Sequence, residues 1–75
     1  MGKLKEITGR IVYKSFEGGF WGIESSDNYY ILNFPEQLKH DNAMVTCVID
    51  IDDDIMSFIS WGIPCIIVSF STLDL

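Results

Sequence analysis

The chain has 75 residues, of which 48% are hydrophobic and 13% aromatic, and this composition excludes a disordered acidic tail, which would be poor in aromatics. Its formal charge of −6 disfavours nucleic acid and anionic lipid as partners, because both are bound through an excess of Lys and Arg. The basic side chains concentrate near the start of the sequence, and after Lys14 only Lys39 follows. A local basic face on the first strand is therefore the remaining route to nucleic acid.

The first half of the sequence predicts three strands. Residues 4–16 are rich in β-branched and aromatic side chains and predict a long first strand, in which Gly9 indicates a bend or bulge. Gly18 and Gly19 predict a tight turn, because glycine accepts positive φ at no steric cost. The remaining elements are a second strand, a polar hairpin loop and a third strand, at residues 20–24, 25–28 and 29–32.

The second half begins with a change of pattern. Residues 33–42 predict one or two helical turns that start at Pro35, with Phe34 and Leu38 facing the core. A fourth strand, an acidic turn, a fifth strand, a last apolar strand and a frayed tail follow at residues 43–51, 52–54, 55–61, 64–70 and 71–75.

This order of elements predicts a single all-β domain over residues 1–75, with one short helix. Three strands, a short helix and two or three further strands are typical of an oligonucleotide/oligosaccharide-binding (OB) barrel of five to six strands. A first strand that bends at Gly9 could pair with both halves of such a barrel. An SH3-like barrel is the main alternative.

A short motif adds a resemblance to this interpretation. The sequence reads E-G-G-F-W-G-I from Glu17 to Ile23, followed by Asn33-Phe34-Pro35 and, near the C-terminus, Trp61-Gly62. It resembles a group of small, mostly uncharacterised bacterial and archaeal OB-like β-barrel proteins over roughly residues 9–68. The resemblance implies the barrel fold and says almost nothing about activity. The acidic stretch from Asp50 to Asp54 departs from the pattern of that group.

Catalytic and metal-binding patterns are weak in this sequence. The single histidine, His40, lies in a polar stretch without a recognisable nucleophile or acid–base partner, so we predict no enzyme and no catalytic residue. The acidic run from Asp50 to Asp54 matches only the first half of a calcium loop, because Ile55 and Trp61 stand where Gly and Glu are required. We therefore predict no metal site and no cofactor.

The cysteines and the apolar runs bear on where the chain acts. Cys47 and Cys65 lack metal-site spacing and are predicted to be buried reduced thiols, with a disulfide between neighbouring strands as the alternative. The longest apolar run, residues 61–68, is too short to cross a bilayer, and the charged start of the chain does not read as a signal peptide. A cytoplasmic protein without membrane association is expected.

Aromatic and aliphatic side chains provide the candidate binding surface. Rings on the second and third strands could stack on nucleobases, and the apolar last strand could bury its outer face against another protein. The candidate residues are Trp21, Tyr29, Tyr30, Trp61, Ile66 and Val68. We predict a non-catalytic module that binds a protein partner or a second copy of itself. The alternative is a single-stranded nucleic acid or small-ligand binder with an aromatic platform on strands two and three.

Overall fold

Five strands and one 3-10 turn make up the computed structural model, which describes residues 2–52 and 59–71. The strands close into a barrel in the order β1-β2-β3-β5-β4, with β4 returning to β1. Their bounds are Lys3–Lys14 for β1, Phe20–Glu24 for β2, Asn28–Ile31 for β3, Met44–Ile51 for β4 and Ile63–Phe70 for β5. The 3-10 turn, Glu36–Leu38, separates β3 from β4.

The long first strand holds the barrel together because it pairs on both sides. Its second half pairs with β2, and its first half pairs with β4. Arg10 lies in both ladders, opposite Glu24 on one side and Met44 on the other. Gly9, immediately before this junction, is buried. The glycine at which the sequence predicts a bend therefore lies next to the position where β1 passes from one neighbour to the other.

The barrel closes through one parallel pair. β3 and β5 run parallel, with Tyr29 opposite Ile63 and Ile31 opposite Cys65, whereas the other four pairings are antiparallel. A five-stranded barrel with Greek-key connections of this kind is OB-like, so the predicted fold class is confirmed.

The barrel interior is filled by alternate side chains of every strand. On β4 the alternation is complete: Val45, Cys47 and Ile49 are buried, and their neighbours point outward. Such period-two burial follows from the pleat of a strand that has one face on a core. The core cluster consists of Ile7, Ile11, Ile23, Tyr29, Ile31, Leu38, Ala43, Val45, Cys47, Ile49, Cys65 and Ile67.

Several predicted boundaries differ from the structure. The helix is a single 3-10 turn in which Pro35 is the residue before the first helical position, although Leu38 is buried as expected. Of the predicted strand at residues 55–61, residues 59–61 form no strand, and residues 55–58 lie outside the described residues, as do Asp53 and Asp54.

The end of the last strand is held more firmly than expected. Ser71, the first residue of the predicted frayed tail, donates its backbone N–H and its hydroxyl to the Thr46 carbonyl. Residues 72–75 lie outside the described residues. Within the described ranges, no helix has the length and apolar character needed to cross a bilayer.

Asn33 extends the pairing of β3 with β5 by means of its side chain. The amide nitrogen donates to the Ile67 carbonyl at 3.1 Å, and the amide oxygen accepts from the Ile67 N–H at 2.8 Å. One side chain thus satisfies both backbone polar groups of a buried residue. These two hydrogen bonds give a structural explanation for the asparagine in the Asn33-Phe34-Pro35 motif.

Asn33→Ala is expected to lower the free energy of unfolding by about 2 kcal/mol, because both Ile67 backbone groups lose their partner at a partly buried position. Urea unfolding followed by tryptophan fluorescence measures the change. The matched control is Asn28→Ala at an exposed position of β3, which should stay within about 0.5 kcal/mol of the parent. Equal effects of the two substitutions would contradict the role of Asn33.

Candidate binding surfaces

The predicted site residues are distributed over three parts of the barrel. Tyr30 and Trp61 lie on the outer surface beside β2, Trp21 lies at one end of the barrel, and Ile66 and Val68 lie on β5. Tyr29 is a correction: its ring is 1% exposed and belongs to the core, so it offers no face to a ligand. Tyr29 pairs with Ile23, which is also buried, and the pleat therefore turns both side chains inward.

Four rings form an outer aromatic cluster, defined by Phe16, Phe20, Tyr30 and Trp61. Phe20 is central: its ring centroid lies 5.2 Å from that of Phe16, 5.3 Å from Tyr30 and 5.5 Å from Trp61. Two of these contacts are edge-to-face, an arrangement that aromatic quadrupoles favour. Because Phe20 is itself buried, the rings use much of their surface on one another.

A glycine determines where the Trp61 indole lies. A Cβ atom at Gly22 would overlap Cζ3 of Trp61 and would lie 2.8 Å from the Tyr29 carbonyl oxygen. The indole therefore rests directly on the bare backbone of β2. This contact joins the segment before β5 to the outer aromatic cluster.

A second group of rings closes one end of the barrel. Trp21 stacks on Phe34 with centroids 5.7 Å apart and planes at 24°, and it contacts Tyr13 at 5.1 Å. Trp21 and Phe34 are partly buried and pack against the core. Trp21 thus belongs to the end of the barrel, on the opposite side of β2 from Phe20.

The two cationic side chains near the outer aromatic cluster, Arg10 and Lys14, both form ion pairs with one carboxylate. Glu24 accepts from Arg10 at 2.8 Å and lies 3.6 Å from the Lys14 ammonium, which is 5.6 Å from the Trp61 ring centroid. The hydrogen bond from Arg10, with the charge of Lys14, holds the pKa of Glu24 below its ordinary value against the effect of desolvation. Because Glu24 partly neutralises Arg10 and Lys14, little positive charge remains beside the rings to bind an anionic ligand.

Aliphatic side chains cover the outside of β1, β4 and β5. This outer aliphatic face is defined by Leu4, Val48, Ile66 and Val68. Leu4 and Val68 are 65% and 56% exposed, and the other two are half-buried. Leu4 and Ile66 flank Asp50 in one row across the three strands, because each of them pairs with Asp50.

Acidic groups accompany these aliphatic side chains. Glu6 pairs with Val48 and is exposed, so a second carboxylate lies on the same side of the sheet. One oxygen of Asp50, Oδ1, is buried, and no hydrogen-bond partner for it exists within the described residues. Gly2 packs against this oxygen, since a Cβ at Gly2 would overlap it. The face is therefore apolar with an acidic component.

A small groove opens at the end of the barrel where β2 begins and β3 ends. Its volume is about 220 Å³. The side chains that define this end groove are Phe20, Trp21, Tyr30, Leu32, Phe34 and Lys39. Lys39 is the charged member, and it also pairs with Glu36 at 2.8 Å.

Neither of the two cysteines is suited to act as a nucleophile. Both cysteines are free and buried, and burial raises the pKa of the Cys47 thiol to about 11 and that of Cys65 to about 12. A thiol with such a pKa is a poor nucleophile at neutral pH. His40 is exposed at the end of the 3-10 segment. Within the ranges that the structure describes, no three His, Cys, Asp or Glu side chains are grouped closely enough to hold a metal ion.

Sequence reasoning missed some residues of these surfaces. Leu4 and Val48 were not predicted site residues, since their alternation shows that they point outward but not that β4 brings them beside β5. Lys39 lies beside the aromatic rings because it directly follows the 3-10 turn, whose Leu38 packs in the core. The cluster of aromatic residues in the sequence was a signal for the outer rings, and nothing comparable indicated Lys39.

Comparison of the chain with models of known protein families, with curated proteins and with solved structures found no match in any of the three. The resemblance described from the sequence therefore stays a prediction.

Proposed function

We propose that this chain is a non-catalytic binding module that acts by protein–protein interaction through its outer aliphatic face. The observation that carries the proposal is the exposure of aliphatic side chains on the two strands that flank β4, with Leu4 of β1 at 65% and Val68 of β5 at 56%. Burial of apolar surface contributes about 25 cal/mol per Å², so a partner that covers this face gains free energy from every side chain in it. Exposed apolar patches on small domains commonly mark such interfaces.

The closed barrel argues against one common mode of protein binding, the addition of a partner's strand to a sheet edge. β1 pairs with both β2 and β4, and β5 lies between β3 and β4, so the described strands leave no sheet edge to accept a strand from a partner. Strand addition is a common way for sheets to bind peptides, and it requires such an edge. The partner is therefore expected to contact side chains rather than the backbone of the barrel.

The charges on this face favour a different protein over a second copy. Glu6 and Asp50 lie among the aliphatic residues, and the whole chain carries a net charge of −6. Self-association across this face would bring like charges together, which opposes binding. An apolar surface bordered by Lys or Arg would be complementary.

The alternative, nucleic-acid binding through an aromatic platform, receives less support. The rings of Phe20 and Tyr30 pack edge-to-face on each other, and Trp61 lies on Gly22. Arg10 and Lys14 are both paired with Glu24, so the basic groove that a phosphate backbone requires is weak. A labelled oligo-dT that fails to bind at low salt would exclude this alternative.

Two features support a non-catalytic role in the cytoplasm. The only cysteines are free thiols in the structure, and the cytosol keeps thiols reduced. Their raised pKa values make them unsuitable as nucleophiles at neutral pH.

Val68→Lys tests the interface. It should reduce capture of the specific partner from a lysate of the source cells by about tenfold or more, because a charge would be buried in an apolar contact. Quantitative mass spectrometry of the bound proteins measures the change, and sedimentation velocity of the purified protein reports self-association separately. Met44→Lys is the control and should retain the partner, because Met44 is also an exposed hydrophobic residue but lies at the start of β4, outside the outer aliphatic face.

The outcomes of this test are distinct. A protein lost with Val68→Lys and kept with Met44→Lys supports the proposed interface. An oligomer that Val68→Lys dissociates would make a second copy the partner. A monomer whose captured proteins are unchanged by Val68→Lys contradicts the proposal.

A further inference from the structure

We propose that the occupant of the outer aliphatic face is an amphipathic helix of a partner protein whose apolar stripe is bordered by Lys or Arg, an inference that rests on the proposed function of this face. The face lies on the neighbouring strands β1, β4 and β5. It combines exposed aliphatic side chains with two carboxylates, Glu6 and Asp50. The aliphatic side chains restrict the shape of the partner, and the carboxylates restrict its charge.

The apolar part of the face favours a helix over an extended segment. Leu4 and Ile66 flank Asp50 in one row across three strands, and this row is roughly 10 Å wide because adjacent strands are about 4.8 Å apart. A helix with its side chains has a similar diameter, about 10–12 Å. An extended segment would bury backbone N–H and C=O groups without partners, since the described strands leave no free edge. A helix bonds these groups internally and presents only side chains.

The two carboxylates of the face form no salt bridge within the described part of the chain. Lys3 and Lys5 are the nearest basic residues along β1, but they alternate with the residues of the face and lie on the other side of the strand. Lys5 donates to the hydroxyl of the core residue Tyr29 at 3.2 Å. Arg10, further along β1, is paired with Glu24. The negative charge of the face is therefore available to a cationic partner.

Asp50 is the stronger of the two anchors for a cation. It is half-buried between Leu4 and Ile66, and its Oδ1 atom is buried. Folding has removed part of the water from this carboxylate, so an incoming cation competes with less solvent. Glu6 lies diagonally across the β1–β4 pair, about 7–8 Å from Asp50. Two basic side chains one helical turn apart, with Cβ atoms about 5–6 Å from each other, can reach both carboxylates.

The probe for this inference is a synthetic helical peptide of about 18 residues, with Leu on one stripe, Lys beside the stripe and Ala elsewhere. It is titrated into the whole chain and followed by ¹H–¹⁵N NMR. Saturable shifts are expected for the backbone amides of Leu4, Val48 and Val68, with no comparable shift of the Trp21 indole N–H at the end of the barrel. A peptide of the same composition in scrambled order should bind about tenfold more weakly, because it keeps the charge but presents no apolar stripe.

Charge-neutral variants test the role of the two carboxylates. Asp50→Asn should weaken binding of the Lys peptide about tenfold and Glu6→Gln about threefold, because each removes one charge and keeps the shape of the side chain. Asp27→Asn, at an exposed position in the loop between β2 and β3, is the matched control and should bind as the parent does. A peptide with Glu in place of Lys should bind the parent at least about tenfold more weakly than the Lys peptide.

Several results would overturn the inference. These are no saturable binding of the Lys peptide, equal affinity for the ordered and scrambled peptides, equal affinity for the Lys and Glu peptides, and binding that Val68→Lys leaves unchanged. A dimer of the parent that Val68→Lys dissociates and the peptide does not would also overturn it, because a second copy would then cover the face. A cellular partner lost with Val68→Lys, together with no binding of the Lys peptide, would leave the proposed interface standing and exclude only the basic helix as its occupant.

Discussion

Gly9→Val is expected to destabilise the barrel by about 3 kcal/mol or more, beyond the usual 1–3 kcal/mol for an overpacked core. A Cβ atom at this position would overlap the Glu24 carbonyl oxygen and would lie 2.8 Å from Cγ2 of Ile23. The nearest atom belongs to the backbone of β2, so a side-chain rotation cannot relieve the overlap. A domain of this length has a stability of roughly 4–11 kcal/mol, so the substitution should remove a large part of it.

Urea unfolding followed by tryptophan fluorescence and far-ultraviolet circular dichroism measures this loss. Gly18→Ala is the control for the general cost of replacing a glycine. Gly18 has a φ of +86°, and no atom lies within 4 Å of the position that a Cβ would take, so only the backbone preference is lost, at about 1 kcal/mol. If Gly9→Val and Gly18→Ala cost the same, close packing of β1 on β2 is not the reason for Gly9.

Gly9 also illustrates how far the sequence predicts this fold. A glycine within a long run of strand-forming residues predicted a special position in β1, and Gly9 lies next to the residue where β1 passes from its pairing with β4 to its pairing with β2. The order of strands and the β-branched alternation were local signals, and they were sufficient for the barrel class. The contact between Gly9 and Glu24 depends on the register of two strands, which local patterns do not specify.

The candidate surfaces were less predictable for a related reason. Alternation placed Tyr29 and Tyr30 on opposite sides of β3, but it could not decide which of them faced the core. Barrel closure decided it, because Tyr29 pairs with Ile23 on one side and Ile63 on the other. Similarly, Ile66 was a candidate from the apolar composition of β5, whereas its proximity to Leu4 arises only through β4.

The predicted strand at residues 55–61 shows that an apolar composition alone does not identify a strand. Its apolar side chains are typical of a strand, yet residues 59–61 form none, and Trp61 instead lies across β2. Aromatic content predicts burial better than it predicts backbone conformation. A tryptophan can be buried against a glycine of another strand without itself belonging to the sheet.

The stability of the barrel is expected to fall by about 2–4 kcal/mol between pH 9 and pH 11 because of its two cysteines. Burial raises the pKa of Cys47 from 9.0 to about 11 and that of Cys65 from 9.0 to about 12. Below pH 9 both thiols are protonated in the folded and the unfolded chain, so their contribution is fully present. Above it the unfolded chain loses these protons while the folded chain keeps them, and the free energy of unfolding therefore decreases as the pH rises.

Urea unfolding at intervals from pH 8 to pH 11 measures the slope, and each thiol can contribute up to about 1.4 kcal/mol per pH unit. Tyrosine and lysine side chains also titrate in this range, so the comparison is with a variant carrying both Cys47→Ala and Cys65→Ala. The variant is less stable at pH 8, because two buried side chains are shortened. Its stability should nevertheless fall less steeply with pH than that of the parent. Parallel slopes for the two proteins would mean that the thiols ionise as readily in the barrel as in the unfolded chain, and that Cys47 and Cys65 are not sealed in the core.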